Sequence, residues 1–333
     1  MKKLIVSNLA LLAMLAASAT ASAEQMTLKL AHQWPQNEDD YVVAAAIKFA
    51  EQVEEKTNGD IKIEFYPAES LVKAKDTHIA LKTGTIDLAV YPYIYSAGVI
   101  PEMNLILMPG VWRTHDDVFA FRLSDAWQKI EQKAEDYGFK TLSWIQISGG
   151  VASSGEPVHV PEDVKGKKLR AAGKYMEAAL RSAGATPVSM PSSDNYNAMQ
   201  LGLLDAMWTS SSSFGAYRLY EVSKSYTSPE DYSVYFTIEP ITISMKTWKK
   251  LTPEQQKILT EVGTSLEEES LKGAKAEDAR IAKEFSDKGV EVSKMTLDEW
   301  NAWQPLFKKS HDMFKKDVPQ AAEILDAMVT YIK

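Results

Sequence analysis

Polar and apolar residues alternate along Thr27–Ala31 (TLKLA) and again along Ile61–Tyr66 (IKIEFY), the period-two pattern of a half-buried strand. Between them Val42, Ala46, Phe49, Ala50 and Val53 recur near the helical period, which predicts an amphipathic helix over Asp39–Thr57, stopped by Asn58-Gly59. His78–Thr83 reads as a short helix ended by Gly84, and Ile86–Tyr91 (IDLAVY) as a third strand. This β-α-β-α-β order opens a doubly wound α/β sheet, in which ligands sit beyond the carboxyl ends of the strands. The loops after Ala31, Tyr66 and Tyr91 therefore converge on one crevice.

The pattern recurs further along. Thr141–Ile147 and Lys168–Ala171 read as strands, Tyr175–Ala183 as a helix ended by Gly184, and Ser193–Leu201 as a helix preceded by Ser189. Leu204–Trp208 is strand-like, and Ile238–Ser244 (IEPITIS) reads as a buried strand. One long charged helix is expected over Pro253–Lys288, with Thr252 as its cap and Pro253 in its first turn. There is no low-complexity linker and no internal repeat, which fits two interleaved lobes better than two separate beads.

The first residues change the picture. Lys2 and Lys3 precede an apolar run, Leu9–Ala17, and Ala21-Ser22-Ala23 follows it. That is the layout of a secretory signal peptide, with an apolar run too short to span a bilayer. Cleavage after Ala23 would remove 23 of 333 residues and leave 310 outside the cytoplasm, in a periplasm. That length suggests two lobes rather than one core. Losing Lys2 and Lys3 takes the net charge from −8 to −10, which argues against non-specific nucleic acid binding but not against a local cationic pocket. The chain has no cysteine, which excludes disulfides, zinc–thiolate sites and thiol chemistry. No later stretch is long and apolar enough to embed in a membrane.

Candidate chemistry points to binding rather than catalysis. The serine run Ser210–Ser213 lacks the G-x-S-x-G elbow of a nucleophile and is expected to supply neutral hydrogen bonds or a turn. The five histidines share no metal-ligand spacing, so neither a metal nor another cofactor is expected. Aromatic residues cluster where strands should end: Trp34, Tyr91, Tyr93, Trp144, Trp208, Tyr235 and Phe236. Aromatic rings build cores and ligand walls alike. Trp34 and Trp208 are the stronger ligand candidates, because they lie in loops just after strands. Gln33, Gln146 and Ser148 are candidate hydrogen-bonding groups at strand ends. Lys73 and Lys75 follow the second strand, either as solvated lysines or as a second positive group.

From Val160 to Trp208 the sequence resembles a known family. The runs PEDVKGKKLRAAG and GATPVSMPSSDNYNAMQLGLLDA are similar to the (DctP-like) solute-binding subunit of tripartite ATP-independent periplasmic (TRAP) transporters. That family reads P-x-D-x-K-G-x-K-x-R, then G-A-x-P followed by Y-x-A-L-Q-x-G-x-x-D. KTGTIDLA at Lys82–Ala89, the LTPEQQKIL helix start and the leader also match, so the similarity covers essentially the whole mature chain.

The resemblance implies a periplasmic binding protein-like α/β fold: two interleaved lobes around a ligand cleft, braced by a long helix. The expected division is a signal peptide over 1–23, a first lobe of 24–147 plus 237–275, and a second of 148–236 plus 276–333. It further implies a non-enzymatic receptor that closes over a small carboxylate and hands it to an ion-gradient-driven TRAP membrane permease. Arg170 matches the family's carboxylate clamp; its planar fork can take a carboxylate through two charge-assisted bonds.

Several departures from the family bear on the solute. Ser148-Gly149-Gly150-Val151 carries no second arginine, Trp208 and Thr209 replace the usual segment with its ligand-touching Asn, and Ser192 stands where an aromatic often follows Met190-Pro191. Together these favour a monocarboxylate with an apolar or aromatic part over a dicarboxylate. The expected ligand set is Arg170, Trp208, Thr209, Trp34, Gln33, Tyr91, Gln146, Ser148, Lys73, Met190, Ser192 and Phe236. The alternatives are the receptor of an ATP-driven importer, a ligand-sensing module for a sensor kinase and, less favoured, a secreted hydrolase.

Overall fold

The computed structural model describes residues 25–330. The expected leader over 1–23 lies outside the described residues. The strands are β1 Met26–Ala31, β2 Ile61–Tyr66, β3 Leu88–Val90, β4 Phe139–Ser143, β5 Gln146–Ser153, β6 Lys168–Ala171, β7 Thr186–Ser189, β8 Ala206–Ser210, β9 Ser225–Ser228, β10 Tyr235–Ile238, β11 Ile241–Ser244 and β12 Glu291–Lys294. They form two sheets, ordered β2-β1-β3-β11-β4 and β12-β9-β5-β8-β6-β7, with β10 added to β5. β1 runs parallel to β2 and β3, whereas β11 enters antiparallel between β3 and β4.

The opening βαβ unit forms where the pattern places it. Helix Tyr41–Lys56 buries Val42, Val43, Ala46, Phe49, Ala50 and Val53, and Asp40 caps it by accepting the amides of Val42 and Val43. Such a cap is worth about 1 kcal/mol. Asn58 and Gly59 follow the helix at φ 51° and 83°, left-handed values that end it. Gly84 does the same for helix Thr77–Thr83, at φ 71°.

Two segments read as single strands are each split. Thr141–Ile147 ends one strand at Ser143 and starts another at Gln146, and Ile238–Ser244 likewise divides around Glu239-Pro240. At both places the chain passes from one sheet to the other. The crossings are tied together: the Glu239 amide donates to the Ile145 carbonyl (2.8 Å) and the Tyr91 amide to that of Pro240 (3.1 Å). Period-two patterning continues through such a crossing, so the hydrophobic pattern alone cannot reveal the change of sheet.

The expected single helix over Pro253–Lys288 is two helices, Pro253–Ser265 and Glu267–Asp287, joined at Leu266. Gly263 lies against β4, where a Cβ would sit 1.8 Å from the Leu142 carbonyl oxygen, and Ser143 Oγ donates to the Gly263 carbonyl (2.9 Å). Ser265 Oγ back-bonds to the Val262 carbonyl (2.8 Å). A glycine and a serine that draw carbonyls out of the ladder are a recognised cause of a helix break.

Helix Leu297–Asp317 begins in the second sheet's core with Trp300, Trp303 and Phe307. Its Phe314, together with Ile324, Leu325 and Met328 of helix Ala322–Thr330, packs with Trp127 and Trp144 beside the first sheet. Helix Ala322–Thr330 thus packs beside the first sheet. Ser193–Leu201 is a 3-10 turn, Ser192–Asp194, followed by a short helix, Asn195–Gln200.

Candidate ligand-binding site

β6 carries Arg170 between β7 and β8, in register with Val188 and Met207. The residue is only 3% exposed. Its Nε donates to the Met190 carbonyl (3.0 Å) and its Nη1 to the Trp208 carbonyl (2.7 Å). Both partners are neutral backbone groups that orient the guanidinium without neutralising it. A guanidinium has five N–H donors, so the fork keeps capacity for an anion.

Arg170 lines a recess of about 20 Å³ with Tyr95, Ser192, Thr209, Tyr235, Thr237 and Glu239 among its neighbours. Ile94, Tyr95 and Ala172 are shared with an outer cleft of about 410 Å³ that also includes Lys75, Lys174 and Met190. The recess and the cleft are therefore two depths of one opening between the sheets. Its walls come from the turn Tyr93–Ser96 after β3, from the ends of β6, β7 and β8, and from the β10–β11 crossing. Those are the carboxyl ends at which an α/β sheet offers a site.

Alternation along β10 decides which side chains face inward. Tyr235 and Thr237 line the recess, whereas Phe236 turns the other way, packs edge-on against the His115 ring (centroids 5.1 Å apart) and joins the first core. Phe236, expected at the cleft, therefore faces the first core, and its neighbours face the recess. The Tyr235 ring lies over Gly149, where a Cβ would come within 2.1 Å of it. That close approach requires the glycine.

The expected residues divide into distinct groups. Arg170, Thr209 and Ser192 line the recess, and Met190 lines the outer cleft. Trp208 contributes its carbonyl only. Its indole is buried edge-on against Trp303 (centroids 5.1 Å apart) in the second core, because its place in β8 points the ring there. Trp34 is a core residue whose Nε1 donates to Ser213 Oγ (3.3 Å). Tyr91 is also core, with its hydroxyl 3.4 Å from His78 Nδ1. Lys73 is solvated and paired with Glu69 (3.2 Å). Gln33 stands behind the recess, with Oε1 accepting from the Tyr95 hydroxyl (3.4 Å) and Nε2 buried without a partner.

Gln146 and Ser148 belong to a separate buried network. Asp278, on helix Glu267–Asp287, accepts from Ser148 Oγ (2.6 Å) and Ser211 Oγ (2.5 Å) and lies 3.0 Å from His115 Nε2. The Gln146 amide donates to the His115 carbonyl (3.0 Å). The serine run supplies neutral hydrogen bonds: Ser210 Oγ donates to Ser213 Oγ (2.9 Å), Ser211 to Asp278, and Ser212 to Asp40 (2.6 Å). Here the histidine and the serine share the same carboxylate, unlike a nucleophile activated by its base.

The group the sequence reading missed is Glu239. It is 4% exposed and lines the recess, and its Oε2 has no partner. Burial, with the Asp40 carboxyl adding to it, pushes its pKa up to about 8, while the Ser210 hydroxyl and Arg170 act against the shift. At neutral pH this carboxyl is largely protonated. Its signal was a lone acid inside the apolar run IEPITIS. Among the described residues no group of three or more His, Asp or Glu side chains is placed to hold a metal ion.

A family profile described as "Bacterial extracellular solute-binding protein, family 7" matches residues 30–317. A solute-binding protein of Albidiferax ferrireducens is 34% identical over 293 residues, covering 87% of each chain. The 2,3-diketo-L-gulonate-binding periplasmic protein of Escherichia coli is 29% identical over 319 residues, 94% of each chain. Among solved structures, a TRAP periplasmic solute-binding protein from Rhodoferax ferrireducens with bound malonate superposes with a TM-score of 0.89 at 33% identity, covering 91% of this chain and 98% of that one.

Proposed function

The chain belongs to bacterial extracellular solute-binding protein family 7, and on that premise we propose that it is the extracytoplasmic receptor of a TRAP transporter for a small organic acid. It binds the acid through its carboxylate and delivers it unchanged to the membrane permease subunits. The observation that carries this reading is Arg170, buried and oriented by two carbonyls with donors left for an anion. Among the described residues lining the recess Arg170 is the one cation, and Glu239 sits on the same walls.

A single cation supports a monocarboxylate. A second carboxylate in the recess would find no other guanidinium or ammonium group among the described lining residues to pair with. Ile94, Leu107 and the rings of Tyr95 and Tyr235 offer apolar walls to the rest of the solute. The Rhodoferax relative holds malonate, a dicarboxylate; the monocarboxylate preference proposed here rests on the single cation of the recess. Family membership favours this reading over an ATP-driven importer, a sensor-kinase module or a hydrolase.

The two sheets then act as lobes that close over the solute about the paired crossings at Trp144–Ile145 and Glu239-Pro240. Export removes the leader after Ala23, so the mature protein starts at Glu24; mass spectrometry of the exported chain checks that boundary. A thermal-shift screen of acetate, lactate, pyruvate, benzoate, phenylacetate, malonate and succinate tests the solute class. Monocarboxylates with an apolar part should raise the melting temperature most. Stabilisation by succinate and malonate alone would overturn the monocarboxylate reading.

A further inference from the structure

We propose that Tyr95 is the gate of the recess and that its hydroxyl, with the Ser193–Glu69 hydrogen bond beside it, forms a two-point strap that sets how long a bound acid stays. The identity of the occupant as an acid rests on the receptor reading above; the strap rests on geometry alone.

Tyr95 lines both the outer cleft and the recess and so stands between them. Its hydroxyl joins opposite walls, donating to Gln33 Oε1 in the loop after β1 (3.4 Å) and accepting the Ser192 amide from the loop after β7 (3.2 Å). That second loop also orients the clamp, because the Met190 carbonyl, two residues before Ser192, accepts from Arg170 Nε (3.0 Å). The gate and the guanidinium thus bear on one short segment, Met190–Ser192.

The second point lies one residue further on. Ser193 Oγ donates to Glu69 Oε1 (3.1 Å), which also accepts the Ala74 amide (3.1 Å). Ala68 and Glu69 hold φ values of 52° and 58°, a left-handed pair that non-glycine residues adopt at a cost. Their amides are pinned to the first lobe, donating to the carbonyls of Trp34 (2.8 Å) and His32 (3.2 Å). A strained, anchored loop therefore presents the Glu69 carboxylate to a serine of the opposite wall.

The recess behind the strap, about 20 Å³, has room for one water molecule. An organic acid reaches Arg170 only when the walls part, and parting them breaks the Tyr95–Ser192 and Ser193–Glu69 bonds. Both bonds are partly exposed. Each is therefore cheap to break and reform, as a gate that cycles requires. The Tyr95 hydroxyl and Glu69 act on the solute through the position of the loop, as positioning groups, while the Tyr95 ring lines the recess.

The absence of cysteine permits a clean test. Spin labels at Val99→Cys and Arg181→Cys, exposed positions on the two sides of the cleft, report the separation of the walls by pulsed electron resonance. Distances are recorded without acid and with the tightest binder among acetate, lactate, pyruvate, benzoate, phenylacetate and malonate. Tyr95→Phe and Ser193→Ala should each move population from the short to the long distance. In stopped-flow fluorescence each should raise the dissociation rate about tenfold while association changes less than about threefold.

Distances and off-rates equal to wild type in both variants overturn the strap and leave the receptor reading standing. If no acid binds but the variants still lengthen the acid-free distance, the strap stands and the receptor reading fails. If no acid binds and the acid-free distances match wild type, both fail. A loss of affinity carried by slower association, with distances unchanged, also overturns the gate.

Discussion

Arg170 Nη1 donates a 2.7 Å hydrogen bond to the carbonyl of Trp208, so a residue whose indole looked like a ligand wall serves the site through its backbone. The ring itself packs on Trp303, and its Nε1 has no partner. Trp208→Phe should therefore lower stability by about 1–3 kcal/mol through lost packing. Binding of the cognate acid should be nearly unchanged. Chemical denaturation and calorimetry on the same variant separate the two; a large affinity loss without destabilisation would return the indole to the cleft.

Asp278 is the node of the buried network, accepting from Ser148 and Ser211 with His115 beside it. Asp278→Ala leaves these polar groups without their shared acceptor, and each such buried group costs about 1–3 kcal/mol. A loss of at least about 3 kcal/mol is expected. The urea midpoint checks it, and a shift under 1 kcal/mol would mean that the network relaxes onto other partners.

Buried acids make stability fall as pH rises: Asp40 and Glu239, with Glu267 and Glu277 raised in the same direction by burial. Burial pushes Asp40 up to about 7, with the Ser212 hydroxyl, the Val43 amide and Arg280 acting against it and Glu277 with it, and Glu239 is pushed up to about 8. Both folded values lie above the unfolded ones, so the folded state binds more protons between roughly pH 4 and 8 and loses stability across that window. His32, His78 and His311, lowered by burial, act oppositely but only below their ordinary value of 6.5. The melting temperature should therefore drop from pH 6.5 to 8 and level off above it. Asp40→Asn and Glu239→Gln should each flatten that slope; an unchanged slope in both would assign it elsewhere.

Gly149 carries no side chain because the Tyr235 ring occupies that space, with a Cβ placed 2.1 Å from the ring. Gly149→Ala must expel the ring into the recess or push β5 and β10 apart. Overpacking of this kind costs about 1–3 kcal/mol. Ligand affinity should fall together with stability, and a crystal structure of the variant should show Tyr235 moved. Wild-type affinity would mean the recess is not where the solute sits.

The first βαβ unit was legible because its periodicity is clear and its helices carry their own stop signals, Asn58-Gly59 and Gly84. Arg170 was legible because its motif is specific. What the pattern hid was anything that depends on where the chain changes sheet. The crossings at Trp144–Ile145 and Glu239-Pro240 sit inside continuous apolar runs, so the faces of Phe236 and Tyr235 were exchanged and Glu239 was passed over as part of a strand. Aromatic residues at strand ends were equally ambiguous. Trp34, Tyr91 and Trp208 are core, while Tyr95 and Tyr235 line the recess, and only packing distinguishes them.

The central claim is that one oriented guanidinium holds the acid. Titration calorimetry of wild-type protein and Arg170→Ala with the tightest acid of the screen tests it most directly. The account predicts one acid per chain for the wild type and an affinity lower by two orders of magnitude or more for the variant, on the order of 2–5 kcal/mol for a buried charge pair that loses one partner. Near-equal affinities for the two proteins would contradict it.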